Sequence, residues 1–178
     1  MKKESLKSII VITAICLVVA ALMAAVNLVT APMIAQAKAE AEKEALFIAL
    51  PSSEDFEEVD ISAASLPDSV NAVYSEISGL GYVVMLNAKG YDSSNPMVIA
   101  VGIDNDGNIV KCHVVSCNGE TSGIGTKVNT PEFLSLFDGK DSALSDVDAI
   151  SGATISSGAF ISAVKDAFVA YEFAKEVG

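Results

Sequence analysis

The run Ile9 to Val29, IIVITAICLVVAALMAAVNLV, holds 21 residues, with Thr13 and Asn27 as its only clearly polar members. At 1.5 Å per residue such a segment reaches about 30 Å, the thickness of a bilayer's hydrocarbon core. A chain carrying it is built around a membrane boundary, and any folded domain must lie to one side. Lys2, Lys3 and Lys7 precede the run, and no charge follows it before Lys38. The positive-inside rule then predicts a single-pass protein of the cell (inner) membrane, with residues 1–8 in the cytoplasm, 9–29 in the bilayer and the rest extracytoplasmic. Ala35-Gln36-Ala37 has the form of a signal-peptidase site. The apolar run exceeds the 7 to 15 residues or so of a signal peptide's core, which favours a retained anchor. Asn27 has two readings, a hydrogen bond to a neighbouring membrane helix or solvation at the interface.

Residues 30–50 are rich in helix formers and charges, with Met33, Ile34, Ala37, Ala41 and Phe47 or Ile48 near one helical face. They predict a juxtamembrane helix that continues the membrane helix outward as a short stalk, with Pro32 near its first turn, serving as a solvated spacer or a partner contact. Residues 51–68 combine Ser, Asp, Glu and Pro without a sustained period and predict a linker. From Val70 short β-branched runs begin: Val70 to Ile77, Gly81 to Asn87, Met97 to Ile103 and Asn108 to Ser116. Asp104-Asn105-Asp106-Gly107 reads as a hairpin turn between the last two, so the segment predicts an antiparallel meander. The same acids would suit calcium, but the distal Glu of an EF-hand loop is missing. Thr130-Pro131-Glu132 predicts an N-cap, a Pro at the first helical position and an acid in the first turn of a short helix ending near Phe137. Apolar spacing at Ile161, Val164, Phe168 and Tyr171 predicts a final helix over Ile155 to Phe173 that packs on the sheet. The expected class is α+β: an antiparallel sheet with packed helices in a domain of residues 69–178, preceded by one transmembrane helix.

Charge narrows the function. The formal net charge is −12 and every basic side chain is Lys, because the chain has no Arg. Nucleic-acid binding draws on clustered cations that displace counterions, so that class is set aside.

Two segments carry recognisable chemistry. In Asp148 to Ser157, DAISGATISS, a hydroxyl-rich turn feeds a helix. The first N–H groups of a helix lack internal partners and sit at the positive end of its dipole, so a phosphate is favoured there without a basic side chain. Gly152 and Ala153 leave the approach open, and Ser151, Thr154, Ser156 and Ser157 offer hydroxyls for hydrogen bonds or covalent attachment. Ordinary N-capping accounts for the same residues. In Glu120-Thr121-Ser122-Gly123-Ile124-Gly125-Thr126-Lys127, two glycines allow backbone to approach a flat or phosphorylated ligand, and Lys127 is a candidate point charge. The loop has neither the G-x-G-x-x-G context nor a Walker motif.

Asp148 to Thr154 resembles the D-x-x-[ST]-G-A-T flavinylation signature of the FMN-binding domain family, found in the G subunit of the Rnf electron-transport complex and the C subunit of the sodium-pumping NADH:quinone reductase. Glu120 to Gly125 resembles that family's E-T-P-G-L-G loop, with Ser122 for Pro and Ile124 for Leu. Thr30-Ala31-Pro32, Gly81-Tyr82 and Asp106-Gly107 fall in the same order. The resemblance implies covalent FMN, joined to Thr154 through a phosphoester. It implies contacts from Ser151, Gly152, Ala153, Ser157, Glu120, Thr121, Gly123, Gly125 and Lys127, and attachment by a separate flavin transferase that uses FAD and recognises Asp148. It further implies a non-autonomous subunit relaying electrons among the membrane subunits of an ion-translocating ferredoxin:NAD oxidoreductase, or of another membrane redox system.

Other chemistries have thinner support. Cys112, His113 and Cys117 lack a fourth Cys or His outside the membrane run to complete a zinc site, and an unbridged cysteine pair is the expectation. Ser157 and Lys165, eight residues apart on one helix, would be separated by about 12 Å along its axis, too far for a nucleophile and its base. A Ser-His-Asp arrangement through His113 has no G-x-S-x-G elbow beside it. A purely structural or sensing anchor, with SGAT as a cap, remains the third class.

Overall fold

The computed structural model describes residues 2–62 and 64–177, with side chains from residue 7 onward. Lys2 and Lys3, whose charges enter the orientation argument, have their side chains outside the described residues. The chain forms two compact units, Met1–Ala41 and Glu42–Gly178.

One helix, α1 (Lys2–Ala49), runs through the described residues of the first unit. The stretch Lys7–Ala49 is long and apolar enough to cross a membrane, and its side chains from Ile9 to Val29 are exposed. No helix boundary separates residues 9–29 from 30–50. Pro32 lies inside α1 rather than near a helix start. Proline there removes the bond to the carbonyl four residues back, and nearby the Thr30 hydroxyl donates to Val26 O at 3.0 Å.

The second unit is built on a five-stranded antiparallel sheet in strand order β1-β2-β3-β4-β5: Phe56–Glu58, Val70–Glu76, Gly81–Ala88, Met97–Asp104 and Ile109–Ser116. The meander and its hairpins follow the expected segments. The β4–β5 turn is closed by Asp104 Oδ1, which accepts from the N–H groups of Asp106 (3.0 Å) and Asn108 (2.8 Å). A strand stands where a linker was expected. β1 pairs with β2 from Phe56 opposite Glu76 to Glu58 opposite Tyr74, and Val59, Ile61 and Leu66 pack on the core. Three paired residues are too few to display an alternation, which is why this edge strand has no period in the sequence.

β3 and β4 are buried on both faces. Val84, Leu86, Ile99 and Val101 face α3 (Thr154–Val177), whose Phe160, Val164, Phe168 and Tyr171 fill that layer. Each such side chain contributes about 1.5–3 kcal/mol when fully buried. Val83, Met85 and Ala100 face the other way, onto Ala45, Leu46 and Ala49 at the end of α1 and Leu50 just after it. That segment is therefore a covering layer of the domain, neither a solvated spacer nor a stripe through Ala37 and Ala41, and Phe47 meets Phe56 edge-on at 5.2 Å.

Between β5 and α3 the chain makes a 3-10 turn (Gly125–Asn129), the short helix α2 (Pro131–Leu134) and a second 3-10 turn (Ser135–Phe137). Pro131 opens α2 as expected. Thr130 occupies the cap position without capping, because its hydroxyl donates backward to Lys127 O at 2.9 Å.

Candidate functional site

The start of α3 is set by a turn. Ala153 N–H donates to Ile150 O at 2.9 Å, and Gly152, third in that turn, has φ +82°, a conformation that side chains with a Cβ rarely adopt. Ser157 fastens the turn to the helix: its Oγ accepts from Ile150 N–H and donates to Ala153 O, both at 2.9 Å. The first helical bond runs from Ser157 N–H to Ala153 O, also 2.9 Å. Ala153 is therefore the N-cap residue, and alanine has no side-chain oxygen to offer. The N–H groups of Thr154, Ile155 and Ser156 meet no acceptor among the described residues. Beside them the Thr154 side chain is exposed. A hydroxyl thus stands at the positive end of a 24-residue helix, where an anion would complete the orphan donors.

A cavity of about 510 Å³ adjoins this helix start, lined by Gly152 to Ser156 on one side and by Thr121, Ile124, Gly125 and Tyr91 on the other. That volume lies within the roughly 300–1,000 Å³ of small-molecule sites. A second cavity, between Asp68 and Asp166, is smaller at about 260 Å³. The glycine-rich loop owes its shape to local bonds. Thr121 O accepts from Ile124 N–H (3.1 Å) and Thr126 N–H (3.3 Å), and Thr126 Oγ1 accepts from Gly123 N–H at 2.9 Å. The rim has an apolar side, with Tyr91 68%, Ile124 48% and Ile155 62% exposed, suited to a flat ring system whose phosphate end is at the helix.

Of the residues singled out from the sequence, Gly152, Ala153, Thr154, Thr121 and Gly125 converge on this cavity. Asp148 is exposed ahead of the turn, Ser151 is exposed within it, Gly123 is at the loop tip and Lys127 is exposed on the 3-10 turn; none of these four lines the cavity. Ser157 is buried, with its hydroxyl already serving Ile150 and Ala153, so the turn occupies the group expected to face a phosphate. Glu120 is buried too, accepting from Tyr91 N–H at 3.1 Å and from the Ser156 hydroxyl. Phe160, further along α3, belongs to the core: it is fully buried, with ring centroids of Phe133 and Phe137 at 5.4 and 5.2 Å.

Tyr91 is the wall residue that sequence reasoning passed over; Ser156, one of the four hydroxyls the sequence offered, also lines the wall, but its hydroxyl is committed to Glu120. An aromatic directly after Gly90, at the end of a strand with no place in any apolar alternation, was the available signal for Tyr91.

The remaining candidates lie elsewhere. Cys112 and Cys117 are free thiols; Cys112 faces the core, where burial pushes its thiol far above the ordinary range. His113, the next residue on the strand, points to the opposite face, and burial, followed by the Lys111 charge, holds its imidazole below the ordinary range. Among the described residues no group of three or more His, Cys, Asp or Glu side chains is placed to hold a metal ion.

Comparison with known proteins bears on the same segment. Residues 90–169, from the glycine before Tyr91 into α3, match the FMN-binding domain family. The G subunit of the ion-translocating oxidoreductase complex of Methanosarcina acetivorans is 35% identical, covering 98% of this chain and 97% of its own length. The G subunit of the proton-translocating ferredoxin:NAD(+) oxidoreductase complex of Clostridium ljungdahlii is 28% identical, covering 88% of this chain and 85% of its own length.

Proposed function

The chain belongs to the FMN-binding family of these G subunits, and from that premise we propose that it carries FMN covalently on Thr154 and serves as a membrane-anchored electron-transfer subunit of an Rnf-type, ion-translocating ferredoxin:NAD oxidoreductase. The observation that carries this reading is the pairing of an exposed Thr154 hydroxyl with three unpartnered N–H groups behind an alanine cap. A helix that only needed capping would place Ser, Thr, Asn or Asp at that position.

In this reading the N–H groups of Thr154 to Ser156 hold the phosphate, and Gly152 turns the chain so that no side chain obstructs it. Tyr91, Ile124 and Ile155 offer apolar surface to the ring system and keep water from it. Bound flavin supplies transfer of one or two electrons, while the protein sets its position and environment. During attachment the Thr154 Oγ1 loses its proton and forms the new ester bond to the FMN phosphorus of FAD, as the pyrophosphate bond breaks and AMP leaves. A separate flavin transferase conducts this step, and exposed Asp148, six residues before Thr154, is accessible for it to recognise.

Residues 9–29 form the membrane span in the same proposal, with residues 1–8 cytoplasmic and the flavin domain extracytoplasmic, as the placement of Lys2, Lys3 and Lys7 supports. A covalent link keeps a small cofactor from diffusing away on that side.

Mass spectrometry of the chain produced with a flavin transferase should find one FMN on the peptide bearing Thr154. Thr154→Ala should fold and carry no covalent flavin; a yellow, covalently loaded Thr154→Ala protein would refute the attachment site.

A further inference from the structure

Glu120 is 7% exposed and is surrounded by three segments far apart in sequence. Its Oε1 accepts from Tyr91 N–H, in the β3–β4 connection, at 3.1 Å. Its Oε2 accepts from the hydroxyl of Ser156, in the first turn of α3. The third segment is its own loop, and two glycines mark how closely the carboxylate is held. A Cβ built on Gly90 would overlap Oε1 and stand 2.8 Å from Cδ, and one on Gly125 would stand 2.7 Å from Oε2 and 2.7 Å from Ser156 Oγ. Real Cβ atoms do not approach so near, so a side chain at either position would have to displace the Glu120 carboxylate, and at Gly125 the Ser156 hydroxyl as well. Glu120 is absent from the cavity lining, although Tyr91, Gly125 and Ser156 all belong to it.

We propose that Glu120 is a positioning residue that clamps the β3–β4 connection, the glycine-rich loop and the first turn of α3 into one register, fixing the cavity wall without contacting the cofactor. The structure thereby moves Glu120 from the ligand role suggested by its motif to a brace behind the wall. The inference rests on the FMN reading for its functional readout, while the clamp itself is a matter of geometry. Hydrogen-bond geometry rather than charge does the work. A glutamine can reproduce it, with its amide oxygen accepting from Tyr91 N–H and its amide nitrogen donating to Ser156 Oγ.

The test uses the full-length chain produced with a flavin transferase, as Glu120→Ala, Glu120→Gln, Gly90→Ala and the Gly90→Ala/Glu120→Ala double variant. The initial rate of covalent flavin attachment and the visible circular dichroism of the loaded fraction are read together. A misplacement of about 1 Å can cost about a hundredfold, so Glu120→Ala and Gly90→Ala should each slow attachment by roughly ten- to a hundredfold. The flavin's dichroism should fall in Glu120→Ala and return in Glu120→Gln, a change that simple destabilisation would not produce. The double variant should be no slower than Glu120→Ala, because the added methyl enters vacated space. Additive losses in the double variant, or a Glu120→Gln protein as impaired as Glu120→Ala, would overturn the clamp. Should the wild-type chain take up no covalent flavin, the Thr154 reading fails, and the cycle is then read in thermal unfolding of the bare chain. There, coupling between Gly90 and Glu120 supports the clamp and additivity overturns it.

Discussion

Gly152 and Gly158 are six residues apart, and replacing each by alanine should move stability in opposite directions. A Cβ on either would meet nothing within 4 Å, so packing contributes little to the difference. Backbone conformation decides it. Gly152 holds φ +82°, where an L side chain costs about 1–2 kcal/mol. The lower entropy of the unfolded alanine chain offsets about 0.4–1 kcal/mol of that. The balance is a loss of between about zero and 1.6 kcal/mol, about 0.8 kcal/mol at mid-range. Gly158 lies within α3, where exchanging glycine for alanine gains about 0.5–1 kcal/mol. At roughly 2–6 °C per kcal/mol for a domain of this size, thermal unfolding of the intact chain in detergent should resolve the two shifts, Gly152→Ala downward and Gly158→Ala upward. Gly152→Asn should lie between Gly152→Ala and wild type, since asparagine tolerates the left-handed region. Flavin attachment adds a second axis. Gly152→Ala disturbs the turn that presents Thr154 and should slow loading, whereas Gly158→Ala should load normally. If Gly152→Ala unfolds above the wild-type temperature, the positive φ does not limit this turn and the account of how Thr154 is presented fails.

Phe160→Ala removes the ring packed on both Phe133 and Phe137 and should cost about 3–5 kcal/mol, whereas Tyr91→Ala, at a side chain 68% exposed, should stay within about 0.5 kcal/mol of wild type; denaturant midpoints compare them, and similar values would contradict the assignment of Phe160 to the core. Glu76 accepts from the N–H groups of Leu80 at 3.0 Å and Glu54 at 3.1 Å, and the Leu80 bond foremost holds its carboxyl below the ordinary value of 4.5 against the opposing effect of burial. Its contribution to stability is therefore complete above that unfolded-state value and is lost as pH falls through the lower folded-state value. Glu76→Gln should flatten this part of the acid limb, and parallel midpoint-versus-pH curves for the two proteins below about pH 4.5 would exclude the effect. Protease added outside intact cells should remove a C-terminal tag and spare an N-terminal one; the reverse pattern would invert the proposed topology.

The strands were legible because β2 to β5 carry β-branched residues bounded by turn chemistry, and Asp104 and Gly107 act where such residues act in hairpins. Local sequence does not say which surface a helix end will meet. The end of α1 alternates charge with alanine and leucine as a solvated helix would, and the contact of Ala45, Ala49 and Leu50 with Val83 and Met85 depends on strands more than thirty residues away. Tyr91 was hidden for the same reason. It becomes a cavity wall only because Glu120, 29 residues later, holds its backbone.

At the proposed attachment site the residues were legible and their register was not. Ser-Gly-Ala-Thr before a helix reads as capping chemistry, and a start one residue earlier or later would give the cap position to Gly152 or Thr154. The fold starts α3 at Thr154, leaving alanine at the cap and Ser157 bonded back into the turn. Ser156 is committed to Glu120, while Ser151 stands outside the cavity. Of the four hydroxyls that the sequence offers a phosphate, Thr154 alone is both on the cavity wall and unengaged. A selection among equivalent-looking hydroxyls thus turns on one residue of helix register, set by bonds within the chain itself. It follows that shifting the register should redirect attachment or abolish it even with Thr154 intact. Ser157→Ala, which cuts both fastenings of the turn at a position away from the wall, should impair loading while leaving the threonine untouched. Normal loading of Ser157→Ala would show that the helix start is held by something other than this staple.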